Sequence, residues 1–130
     1  MAGSFSDYTE DKVLDHILKI AAFVVPTNIY CALFTVAPTD AGGGTEVTGG
    51  SYARMIAEDW DVSSGGVTAN SAKITFVQST ADWGTVVAFA LFDAISGGNM
   101  LMWGDLDTSK PMTDGDIIEF AIGNLDISLT

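Results

Sequence analysis

Two side chains carry most of what this sequence offers to nucleophilic chemistry: a single histidine, His16, and a single cysteine, Cys31. A Ser-His-Asp or Cys-His arrangement would have to use His16 as its base. His16 stands between Asp15 and Ile17, with Lys12 one turn earlier. That is the setting of a helix-surface residue, and nothing in the spacing supplies the geometry of a general base. Cys31 lies in the apolar run Ile29-Tyr30-Cys31-Ala32-Leu33-Phe34. It reads as a small buried hydrophobe rather than a reactive thiol, and alone it makes no internal disulfide. One His and one Cys do not furnish the four ligands of a structural zinc site.

Carboxylates offer more. Asp105/Asp107 and Asp114/Asp116 flank one loop, and Glu58/Asp59/Asp61 form a second acidic group. Calcium takes several oxygens, but no stretch matches an EF-hand loop, and turn Asp is the simpler reading. Glu58 and Glu119 are candidates for paired acids of glycan hydrolysis, which needs them face to face across a cleft. Sequence spacing does not place them so. Gly42-Gly43-Gly44 lacks the Gly-Lys-Ser/Thr ending of a phosphate loop and reads as a flexible connection. The expectation is a chain with no catalytic residue, no cofactor and no metal.

The aromatic residues have two readings. Trp60, Trp83 and Trp103 offer either a sugar-stacking platform and interface anchors, or packing for a core. Trp103 sits in an apolar strand and reads as core or half-buried. Trp60 and Trp83 flank turns beside acidic residues and are the better interface candidates. Arg54, with Tyr52, is a further candidate anchor, because Arg is rare here and both types are enriched at hot spots. The alternative for Arg54 is an internal ion pair with one of many carboxylates.

These residues must be positioned by one domain, since the chain has 130 residues. The composition is 48% hydrophobic and 17% charged, which excludes disorder. Seventeen acidic against five basic residues give a net charge of −12. Nucleic-acid backbones and anionic membranes repel such a surface. The acidity serves solubility or faces a basic partner. No stretch approaches a membrane span. The first residues show no basic region followed by an apolar one, so the expectation is a chain synthesised in a cytoplasm and kept soluble there.

Asp7-Tyr8-Thr9-Glu10 reads as a capping box, with Asp7 as cap. Val13, Leu14, Ile17, Leu18 and Ala21 follow at helical spacing. The pattern predicts a helix from Tyr8 to about Ala22, ended by Pro26, with one apolar stripe to bury against a sheet. Ile29 to Val36 reads as a strand buried on both faces. Further strands are expected over Tyr52 to Glu58, Val67 to Val77, Val86 to Phe92, Met100 to Trp103, Ile117 to Ile122 and Leu125 to Leu129. Turns fall at Ser63-Ser64-Gly65-Gly66, Asp93 to Asn99 and Asp114-Gly115-Asp116. The fold class is mainly β: an antiparallel β-sandwich or jelly-roll-like barrel of six to eight short strands with one N-terminal α-helix. No repeat, heptad or collagen-like triplet is present, which argues for a knob rather than a shaft.

Several blocks resemble, in order, a family of small phage proteins. They are Met1-Ala2-Gly3-Ser4-Phe5-Ser6-Asp7-Tyr8-Thr9-Glu10 with Leu14-Asp15-His16, then Tyr30-Cys31-Ala32-Leu33-Phe34-Thr35. Gly44 to Arg54, Ala81-Asp82-Trp83-Gly84-Thr85-Val86 and Phe92-Asp93-Ala94 through Ser96-Gly97-Gly98-Asn99 continue the likeness. The family resembled consists of virion structural proteins of tailed bacteriophages, commonly labelled tail fibre proteins. Lys19 to Thr27 departs from the family pattern, which is richer in Gly and small residues there. The resemblance implies no catalytic residues.

It implies a place on the virion exterior after synthesis in the host bacterial cytoplasm. Two roles compete. A tail fibre or tail-tip component is one. The other is a capsid decoration (cement) protein that clamps the major capsid protein lattice, favoured slightly by the knob shape and the acidity. The expected partners are the major capsid protein or other virion proteins and further copies of the chain, by analogy a homotrimer. Expected contacts are Met1 to Asp7, including Met1 and Phe5, then Tyr8, the Ala37 to Ser51 loop, Tyr52, Arg54, Trp60 and Trp83. A carbohydrate-binding module for receptor recognition is the contrasting class, and an enzyme the weakest.

Overall fold

The computed structural model describes residues 3–129. Met1, expected at an interface, lies outside the described residues. The chain forms β1 (Gly3–Phe5), α1 (Asp7–Ile17), β2 (Tyr30–Val36), β3 (Thr45–Glu46), β4 (Met55–Ile56) and β5 (Val67–Ala69). It continues with β6 (Ile74–Thr75), β7 (Gly84–Phe92), β8 (Met100–Met112), β9 (Glu119–Phe120) and β10 (Asp126–Ser128). The main sheet runs β1-β8-β7-β2-β3, with β4 also on β2, and every pairing is antiparallel. Two ribbons, β5 with β10 and β6 with β9, complete the β structure. No sheet closes on itself among the described residues, so the architecture is the sandwich rather than the barrel.

Burial explains the layering. Cys31, Leu33, Phe89 and Leu91 face Ile74, Phe76, Ile118, Phe120, Leu125 and Ile127 across the main core. Phe120 touches Phe76 and Phe89 edge-on, at centroid distances of 6.4 and 6.5 Å, and so joins ribbon to sheet. The other face of the sheet carries Ala32, Phe34, Ala88 and Ala90. Both faces of β2 and β7 are therefore occupied, which is why their sequences are continuous apolar runs rather than alternations.

Several elements differ from expectation. The strands number ten among the described residues, not six to eight, because Val67 to Val77 splits in two and short strands also form at Gly3–Phe5 and Thr45–Glu46. Val67 to Val77 is not one strand. It breaks at Asn70, whose buried side chain takes over the hydrogen bonding described below. β8 extends to Met112, far beyond Trp103, because a polar stretch pairs with the start of β7 from Gly84↔Met112 to Val86↔Lys110. Tertiary pairing supplies what hydrophobic patterning lacks there.

The helix is capped by Ser6, not Asp7: Ser6 Oγ accepts from Thr9 N–H at 3.2 Å. It ends at Ile17, not near Ala22, and Pro26 is not its terminator. Lys19 adopts φ +66°. Ile20 N–H bonds Asp15 O at 2.8 Å and Lys19 N–H bonds His16 O at 3.3 Å. That is a Schellman closure with lysine where glycine is usual. The apolar stripe is not buried against a sheet either. Only Thr9 of the helix is buried, while Leu14 and Ile17 are 56% and 66% exposed. Among the described residues, the hydrogen bonds from the helix to β8 come from its cap and first turn, where Ser6 Oγ and Thr9 Oγ1 donate to Leu101 O at 3.1 and 2.7 Å.

Candidate functional site

The expected contact segments meet. Asp40, in the loop after β2, gathers the amino-terminal arm onto the sheet. Its Oδ1 accepts from Ser4 Oγ at 3.1 Å and from Trp103 Nε1 at 2.8 Å, and its carbonyl accepts from Asp7 N–H at 2.9 Å. Gly44 lets the loop return. Its φ is +73°, and a Cβ there would lie 2.5 Å from Val36 O and 2.7 Å from Pro38 N. Only glycine fits so close to backbone at that angle. Arm, loop and the turn after β7 then line a cleft of about 530 Å³. Asp7, Asp40 and Glu46 supply carboxylates to it, and Tyr8, Phe34 and Phe92 supply rings. Phe5 and Tyr8 are half-buried beside this rim.

Arg54 organises the opposite wall. Its Nε and Nη2 donate to Glu46 Oε2 and Oε1 at 2.9 and 2.8 Å. Its Nη1 donates to Ala94 O and Gly97 O at 2.9 and 2.8 Å. The guanidinium lies 3.7 Å over the Phe92 ring. Five contacts thus tie β3 to the 93–99 turn, and Arg54 is 8% exposed. The internal ion pair weighed from sequence is the arrangement found, and the guanidinium faces the chain itself.

Tyr52 completes the network. Its hydroxyl donates to Glu46 Oε2 at 2.7 Å and accepts from Leu33 N–H at 3.0 Å. Burial pushes Glu46 upward, but the hydrogen bonds from Arg54 and Tyr52 and the Arg54 charge outweigh it. The carboxyl is held below its ordinary value. Burial, with Glu46 beside it, raises Tyr52 well above the usual phenol range.

Trp83 is 5% exposed, edge-on to Tyr52 at 5.5 Å, with Nε1 donating to Gly50 O at 2.9 Å. Its position after a turn suggested exposure, but the turn folds inward and Trp83 packs the core. Trp60 is half-buried, its Nε1 donating to Ala57 O at 2.8 Å. His16 Nδ1 accepts from Phe23 N–H at 3.0 Å and so holds the chain that leaves the helix. Cys31 is fully buried, which pushes its thiol far up.

The acidic groups do local work. Asp116 Oδ2 accepts from Thr113 N–H at 2.9 Å and Thr113 Oγ1 at 3.1 Å, and Asp82 Oδ1 accepts from Asp114 N–H at 3.2 Å. Glu58 accepts from Ile29 N–H at 3.2 Å, whereas Glu119 stands 3.7 Å from Lys73 Nζ. The two are not brought into one site by any shared partner. No group of three metal-binding side chains gathers among the described residues.

Sequence reading missed Asn70. It is fully buried, donating through Nδ2 to Ala72 O and Ala121 O at 2.9 and 3.0 Å and accepting at Oδ1 from Leu125 N–H at 2.9 Å. The available signal was a polar residue interrupting an alternating strand pattern.

Sandwich, N-terminal helix and docked arm define the class as a β-sandwich module. A family model described as Podophage GP4 fiber I protein gp80 matches residues 4–128. The chain belongs to that family and is a phage structural protein. No curated protein matches it.

Proposed function

We propose that this chain is a non-enzymatic subunit of a phage tail fibre, displayed on the virion exterior and joined there to other virion proteins. The observation that carries the reading is the family match from residue 4 to residue 128. The fibre likeness therefore belongs to the whole domain rather than to an appended segment. The non-enzymatic part is supported by the side chains themselves. His16, Glu46, Glu58 and Asp116 are each committed to holding backbone or a neighbouring side chain.

The arm-and-loop rim, with Phe5, Tyr8 and the 37–51 loop, is the contact surface toward neighbouring virion proteins. Its support is rigidity: Asp40 fixes arm, helix start and β8 together, so little conformational entropy is left to lose on docking. Trp60 and the outer edge of Tyr52 extend the candidate contacts. The subunit is homo-oligomeric, with a trimer proposed by analogy to threefold virion sites. Synthesis takes place in the host cytoplasm.

Capsid decoration is the second reading. The knob shape and the net charge of −12 favour it, since an acidic shell protein stays clear of packaged DNA. Immunogold labelling of intact particles decides between them. Label on fibres below the head supports the proposal, and label distributed over the head facets overturns it in favour of decoration.

A further inference from the structure

Among the described residues, exposed large hydrophobic side chains concentrate at the end of α1 and just after it. Leu14, Ile17, Leu18, Ile20, Val24 and Val25 are 56%, 66%, 65%, 72%, 80% and 83% exposed. They are six of the large hydrophobic residues exposed on the described chain, and they fall within twelve positions. They also share a place in the fold. The Schellman closure turns the chain back at Lys19, and Phe23 N–H bonds His16 Nδ1, so residues 20–23 wrap the end of the helix. Among the described residues, the hydrogen bonds that anchor the helix to β8 come from its cap and first turn. Its far end, with the segment after it, projects as an apolar prow.

We propose that this prow is where a second copy of this chain packs. Two observations favour a second copy. The first is area. At the stated exposures the six side chains present on the order of 700 Å², close to the roughly 800 Å² per partner of a standard stable interface. Surfaces of that size and character are uncommon on isolated soluble proteins.

The second observation is charge. Two chains that each carry −12 repel wherever carboxylates face carboxylates. Between Asp15 and Asp40 the sequence has no acidic residue, and Lys19 lies within the prow. This is the longest acid-free stretch of the chain, so copies meet here with least repulsion. A basic partner would be drawn instead to the acidic faces.

The inference rests on the homo-oligomeric part of the proposed function and names the surface that builds the oligomer. The test is light scattering coupled to size exclusion on the purified full chain, from low to high micromolar. The wild type is expected at two or more chain masses. Ile17→Glu with Val24→Glu is expected to run at one chain mass, with self-association weakened at least about thirtyfold, as for loss of a hot spot. The circular dichroism spectrum should not change, because both side chains are exposed on the single chain. The urea midpoint should match that of the wild type at dilutions where both run at one chain mass, and fall below it where the wild type is associated. A neutral pair, Ile17→Ser with Val24→Ser, guards against a charge-specific artefact and should weaken association in the same direction.

An oligomer that survives both variant pairs overturns the surface while leaving the oligomer itself standing. A wild type that stays at one chain mass at every concentration overturns both. A single-chain wild type whose double variant fails to enter particles assigns the prow to another virion protein, which also overturns this proposal. Where the label sits on the particle does not enter any of these readouts.

Discussion

Replacing Arg54 by methionine tests the account of the rim most directly. Methionine keeps an unbranched apolar stem over Phe92 but removes every donor. The change leaves the Glu46 carboxylate with Tyr52 as its remaining side-chain partner, and strips Ala94 O and Gly97 O of their donor. Removing one partner of a buried ion pair costs about 3–5 kcal/mol. The side chains here are 7% and 26% exposed, so water partly relieves Glu46. That places the loss at the low end, about 3 kcal/mol. Urea unfolding followed by tryptophan fluorescence reads it. With a slope of about 1.5 kcal/mol/M, the midpoint should fall by about 2 M. A double-mutant cycle with Glu46→Gln should return a coupling of about 2 kcal/mol. A loss below about 1 kcal/mol, or a coupling near zero, would refute the view that this pair fastens β3 to the 93–99 turn. Unchanged stability with lost assembly would return Arg54 to the role of an interface anchor.

The same pair sets an acid limit. The folded Glu46 carboxyl lies below its ordinary value of 4.5, so its contribution is complete above that pH and is lost as pH falls through the folded value. Urea midpoints measured from neutral pH downward should drop below about pH 4.5 less steeply in Arg54→Met than in the wild type. Asn70→Ala removes the local bond to Ala72 O and the two bonds that join residue 70 to Ala121 and Leu125, and should lower stability by about 2–3 kcal/mol in the same assay. Gly44→Ala forces a side chain into positive φ against Val36 O, and should lower stability by about 1–3 kcal/mol and loosen the arm, read as faster amide exchange at Asp7. Cys31 is fully buried, so a thiol reagent should label the native protein no faster than it opens, and immediately in urea.

Much of the sandwich was legible in local patterning. Cys31 through Phe34 are all buried, as a continuous apolar run in a central strand requires. The turns at Asp93 to Asn99 and Asp114 to Asp116 follow from turn chemistry that acts within a few residues: Asp93 carboxylate oxygens accept from Asn99 N–H and Nδ2 at 2.7 and 2.9 Å. The poverty in reactive side chains and the excess of acid are also properties of sequence alone, because counting needs no coordinates.

Tertiary structure decided the rest. Arg54 had seventeen possible carboxylates, and only the pairing of both β3 and β4 with β2, together with the 93–99 turn, selects Glu46. Helical periodicity identified the apolar stripe of α1, but periodicity says only that a face exists, not that anything within the chain meets it. The arm docks through Ser6 and Thr9 on Leu101, and that geometry turns the remaining stripe outward. Residue type and spacing fix local conformation, whereas which surfaces face each other depends on pairings between segments far apart in the chain.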